Sequence, residues 1–108
     1  GEPERFYRET VLTFDGDKCL IWPFARSGVG YGQMRVNGKS RNVHRLVCAE
    51  IHGKPPSDKH AAAHNCGMGH LGCVNPNHLR WATYSENNAE KYVHERQRAM
   101  AINSVAQI

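Results

Sequence analysis

Apolar and polar positions alternate in short runs over the first forty residues, then switch to a helical period. TVLTF (10–14) is β-branched and weakly alternating, which predicts a strand, and the preceding GEPERFYRE (1–9) predicts a loose arm or short helix. Asp15-Gly16-Asp17 marks a turn, and CLIW (19–22) predicts a short buried strand stopped by Pro23. RSGVGYG (26–32) lacks the spacing of a phosphate loop and predicts a glycine-rich hairpin. YGQMRV (31–36) and KSRNV (39–43) flank Asn37-Gly38, a tight hairpin turn signal.

VHRLVCAEIHG (43–53) changes period. Val43, Leu46, Val47, Cys48 and Ile51 fall toward one helical face, and Gly53 followed by Pro55-Pro56 ends the helix. AAAH (61–64) and LRWAT (79–83) predict two strands around a Cys- and Gly-rich loop. A further helix is expected from about Glu86 to Ala101, with Ser85 as its N-cap. The expected class is α+β: one domain over 1–108, its core unit at about 60–100. Trp22 and Trp81 are expected in the core.

The 108 residues leave room for only a modest core, so a metal clip would help the fold. Hydrophobic content of 40% and charged content of 22% suit a globular chain. A net charge of +4 suits an anionic partner such as nucleic acid. There is no secretory leader and no apolar run of membrane-spanning length, which points to an intracellular protein with no membrane partner. Gly1 is read as a processed or non-native start and carries no weight.

Four cysteines accompany seven histidines, a mixture that favours metal over disulfides. Cys66 and Cys73, separated by a glycine-rich hexapeptide, and His78 supply three ligands of the kind Zn2+ takes in a tetrahedron. Cys19 is the natural fourth, with His70 or His60 as alternatives. Cys48 reads as a small core residue. A closed four-ligand site is structural and leaves no position for water, so chemistry must come from elsewhere; His64, at a strand end before the loop, is the candidate.

The ordered stretches CLIWP, GYGQMRV, VHRL, AAHNC, CVNPNHL, RWAT and SENNAE cover nearly all of residues 19–91. Together they resemble the HNH endonucleases of phage and restriction type, whose unit is the ββα-metal (His-Me finger) fold. The resemblance implies an N-terminal β-hairpin region joined to that unit and a structural zinc site. It implies a DNA phosphodiester hydrolase in which His64 is the general base, as the near-neutral titration of imidazole allows. Asn75, with Asn77 as the nearby alternative, would hold the loop and orient His64. Asn87 would bind a catalytic divalent ion, Mg2+ or another, with Glu90 as a second ligand. One position departs: many members carry an acid or His directly before the base, and here that residue is Ala63. His44, Glu90 or waters would then complete the shell.

DNA is the expected partner, with Arg35, Lys39, Arg41 and Arg45 along its phosphates. A homodimer is expected if both strands are cut. The rival reading is a zinc-stabilised DNA-binding or assembly module without the nuclease step. A secreted two-disulfide protein is a weaker third.

Overall fold

A computed structural model of the protein describes residues 1–89. The architecture is α+β, with two small antiparallel sheets and helices. The chain opens with α1 (Glu2–Phe6), which runs on as a π-helical turn over Tyr7–Val11. The strand expected at TVLTF is therefore absent. The wider spacing explains it: Tyr7 and Val11 are four apart, so a helical turn puts both on one face, and both are buried. Burial of that face outweighs the weak β preference of the β-branched residues.

β1 (Gln33–Val36) and β2 (Lys39–Asn42) form the first hairpin, with Gln33 opposite Asn42 and Val36 opposite Lys39. Asn37 and Gly38 both have positive φ, 52° and 79°, which is the two-residue turn whose twist matches the strands. The strand expected at CLIW reduces to a bridge between Ile21 and Cys73. Trp22 is fully buried and meets Phe6 and Phe24 edge-on, with ring centres 5.7 and 5.2 Å away. Its indole N–H donates to the Gln33 carbonyl.

α2 (Val43–His52) starts directly after β2 and stops at Gly53. Its buried positions are Val43, His44, Val47 and Cys48, an i, i+4 face doubled. Ile51, expected on that face, is 45% exposed; His44 turns inward in its stead. α2 packs on the second hairpin, β3 (His60–His64) with β4 (Leu79–Thr83), in the register His60 opposite Thr83 and His64 opposite Leu79. Ala62, Val74 and Leu79 join the Trp22 core. Trp81 is only half-buried, its N–H donating to the Gly53 carbonyl.

A helix α3 follows at once, described over residues 84–89. Its cap is Thr83 rather than Ser85. The Thr83 Oγ1 accepts the Glu86 backbone N–H at 3.2 Å and donates to the Glu86 carboxylate at 2.9 Å. Strand and helix thus abut with no linker, and the reach of Glu86 back to Thr83 resembles a capping box, which the Thr-Tyr-Ser-Glu spacing allows. The expected continuation to Ala101 lies outside the described residues. Among the described residues no helix is long and apolar enough to cross a membrane.

Burial pushes the Tyr7 phenol up to about 12, with the nearby Glu50 carboxylate adding to it, and the Cys48 thiol up to about 11. Both acids are therefore held neutral by the fold beyond the pH at which the unfolded chain releases their protons. Stability is fully present below the ordinary thiol and phenol range and is lost as pH rises through the folded values. The urea midpoint is expected to fall between pH 9 and pH 11, and Tyr7→Phe with Cys48→Ala should flatten that fall. An unchanged slope in the double variant would reject this assignment.

Candidate metal centre and histidine site

The loop between β3 and β4 is built of two 3-10 turns, Gly69–Leu71 and Pro76–His78. The N-terminal segment is laid against it. The Trp22 N–H donates to the Gly72 carbonyl at 2.8 Å, the Val74 N–H donates to the Leu20 carbonyl at 2.7 Å, and Ile21 bridges Cys73. This short antiparallel contact carries Cys19 to the loop.

Cys19, Cys66, Cys73 and His78 converge there. One ligand atom from each lies within 4.8 Å of the others. The His78 Nδ1 faces the thiols, 3.5 Å from Cys73 Sγ and 3.7 Å from Cys19 Sγ. The opposite ring nitrogen lies 2.7 Å from the Asp17 carbonyl, which can only accept a proton. Nε2 therefore carries the hydrogen, and Nδ1 turns its lone pair to the cluster, as metal-binding imidazoles require. The Met68 backbone N–H donates to Cys66 Sγ. All four cysteines are free thiols. His70 is exposed and His60 Nδ1 is engaged by the Ser57 hydroxyl at 2.8 Å, so neither alternative fourth ligand joins the set. The cluster can hold a metal ion such as zinc.

The electrostatics of the thiols fit that use. Cys66 shares its proton toward Cys73 and is pushed far above the ordinary thiol range, with burial adding to it. Cys73 is held below that range, chiefly because it accepts this S–H bond. Burial raises Cys19. Three thiols in one pocket cannot all ionise alone; a dication makes thiolates of them.

Asn75, fully buried, serves the same assembly. Its amide N–H groups donate to the Gly16 carbonyl at 2.9 Å and the Lys18 carbonyl at 2.7 Å, and its Oδ1 accepts the Asn77 N–H at 2.9 Å. Its side chain pins the 15–18 turn under His78. The partner of His64 is instead the Cys73 backbone carbonyl, 2.9 Å from His64 Nε2. By the same argument, Nε2 carries a hydrogen, and Nδ1 is the ring nitrogen turned away from that carbonyl. Beside that atom the chain is Gly69: a Cβ there would come within 2.5 Å of Nδ1. Only glycine leaves the ring its place.

Two other rings complete the neighbourhood. His44, buried on α2, lies 4.8 Å from His64 between ring centres, and Tyr31 lies 4.9 Å from His44 and 6.2 Å from His64, parallel to the latter within 4°. Tyr31, Gly69 and the Cys73 carbonyl were not legible as site groups; the Gly-Tyr-Gly run alone hinted at Tyr31. Ala63 is buried and pairs with Arg80, so in the strand alternation it faces away from His64. Asn87 is half-buried on α3; Glu90 lies outside the described residues. Arg35 and Lys39, on the first hairpin, are exposed, as are Arg41 and Arg45 at its junction with α2.

Comparison with protein families, with curated proteins and with solved structures finds no match to this chain. The chemistry of the site rests on its own geometry.

The cluster predicts how thiols respond to metal removal. Structural zinc contributes about 10–16 kcal/mol in small domains, comparable to or above the net stability of a whole domain. A strong chelator should therefore lower the thermal midpoint steeply and open Cys19, Cys66 and Cys73 to thiol reagents. Cys48→Ala should leave the metal content at one per chain, whereas Cys66→Ser or His78→Ala should abolish it. Equal loss in the Cys48 variant would show that the ligand set is wrong.

Proposed function

We propose that this chain is a metal-dependent DNA endonuclease on a ββα-metal unit formed by β3, β4 and α3. The observation that carries the reading is the placement of His64: its Nε2 is held to a backbone carbonyl, and Nδ1 faces residue 69, where there is no side chain. In its neutral form an imidazole so oriented would act as a general base that takes a proton from water. The water oxygen then bonds to phosphorus as the bond to the 3′ oxygen breaks, and that oxygen takes a proton from solvent. A divalent ion, Mg2+ or a similar cation, would supply charge to the scissile phosphate, and Asn87 with Glu90 would hold it. His44, against His64, offers an imidazole in the role that Ala63 leaves open. Zn2+ in the Cys3His cluster would be structural, since all four positions are filled by side chains. Arg35, Lys39, Arg41 and Arg45 would lie along the DNA phosphates.

A second reading is a zinc-stabilised DNA-binding or assembly module without cleavage. It is favoured by Ala63, whose inward side chain offers no ligand before the base.

Plasmid nicking in Mg2+, Mn2+ and other divalent ions separates the two. His64→Ala should slow nicking about 100- to 10,000-fold, the worth of a general base, with zinc content unchanged. Full activity in that variant would reject His64 as the base; inactivity of the parent chain in every ion would favour the binding module. Gly69→Ala should likewise slow nicking, by displacing the imidazole, while metal content stays at one. Removing two phosphate contacts with Arg35→Ala and Lys39→Ala should reduce the salt slope of DNA binding by about 2.

A further inference from the structure

Away from the histidines, α2 and β4 enclose a groove of about 240 Å³ whose lining includes Arg41, Arg45, Leu46, Ala49, Pro55 and Trp81. Arg41, in β2, and Arg45, in the first turn of α2, both line the groove, and both are exposed. The Arg45 guanidinium stands 5.3 Å from the Trp81 ring centre. Trp81 is anchored by its N–H bond to the Gly53 carbonyl, so the ring is held in place while half-exposed. Among the described residues no carboxylate lines the groove, and the one ion pair is Arg5–Glu9. Two guanidiniums with no acidic partner among the described residues thus share a cleft with an anchored indole.

We propose that this groove is a subsite for a single unpaired nucleotide of a DNA strand. The guanidiniums match a phosphate, and the Arg45 guanidinium, which lies over the Trp81 ring, would move to that phosphate and leave the indole face to a base of any identity. The volume lies below the roughly 300–1,000 Å³ of pockets for drug-sized ligands, so the groove would take one base, with the sugar and phosphate at its open, arginine-lined mouth. In a duplex each base is stacked and paired, so its face cannot meet Trp81; the occupant must come from a tail, flap or opened step. Arg45 follows His44 directly on α2, but points outward where His44 is buried. The inference rests on the DNA-binding part of the proposed function and not on cleavage.

Tryptophan fluorescence of the full chain carrying His64→Ala tests it, because Trp22 is 1% exposed and Trp81 is the ring a ligand can reach. A blunt duplex, the same duplex with a single-stranded oligothymidine tail, and thymidine monophosphate are titrated in parallel. The tailed duplex should quench the signal and bind about 5- to 150-fold tighter than to Trp81→Ala, the range that one base–aromatic stack is worth. Ala49→Leu, at an exposed lining position, should fill the groove and abolish the quench even if Trp81→Ala does not fold. Equal quenching by the blunt duplex would overturn the unpaired-nucleotide assignment, as would saturation by the mononucleotide at the same concentration. Loss of quenching with nicking intact in the His64 parent would reject the subsite alone; quenching without nicking would reject the nuclease reading alone.

Discussion

Cys73 joins the two assemblies of this chain. Its sulfur belongs to the four-ligand cluster, and its carbonyl oxygen receives the His64 ring N–H. The backbone of one residue therefore transmits the position of the metal centre to the orientation of the imidazole. Were the loop to loosen, His64 would lose the bond that decides which ring nitrogen carries the proton. A structural ion would in this way set the tautomer at a site it does not itself touch.

The cluster also explains why the first fifth of the chain matters. The contact between Cys19 and His78 closes a span of 59 residues, as does the bond from Asn75 to the Gly16 carbonyl. Closing such a loop costs chain entropy, and the short bridge at Ile21–Cys73 is too small to offset it alone. Ligation of a metal ion by the cluster would do so together with the buried Asn75 amide. A domain with so few strand pairs gains its definition from these polar ties as much as from apolar burial.

Around His64 the structure is dense with rings. His44 and Tyr31 come from α2 and from the glycine-rich hairpin, and with the β3–β4 loop that supplies Gly69 and the Cys73 carbonyl, three segments converge on one imidazole. The Arg26 guanidinium, from that same hairpin, donates to the Leu71 carbonyl and fastens the hairpin to the loop that carries Cys66 and Cys73. The site is thus supported from both sides, by the cluster below and by the hairpin across it.

Much of this was legible in the sequence where the cause is local. Asn37-Gly38 specifies its own turn through positive φ, α2 is bounded by a period and by Gly53, and soft ligands announce a metal by their chemistry. The four residues of the cluster could be chosen from one line of text because few other side chains suit such a site. Tertiary structure alone decided the rest. Tyr7 and Val11 became helical because a buried face was available to them; Thr83 rather than Ser85 caps α3 because β4 runs straight into the helix. The Asn75 amide went to the 15–18 turn, and a backbone carbonyl that no residue type encodes took its expected place beside His64. Side-chain identity travels with the sequence, whereas the partner of a polar atom depends on which distant segments packing brings within hydrogen-bond reach.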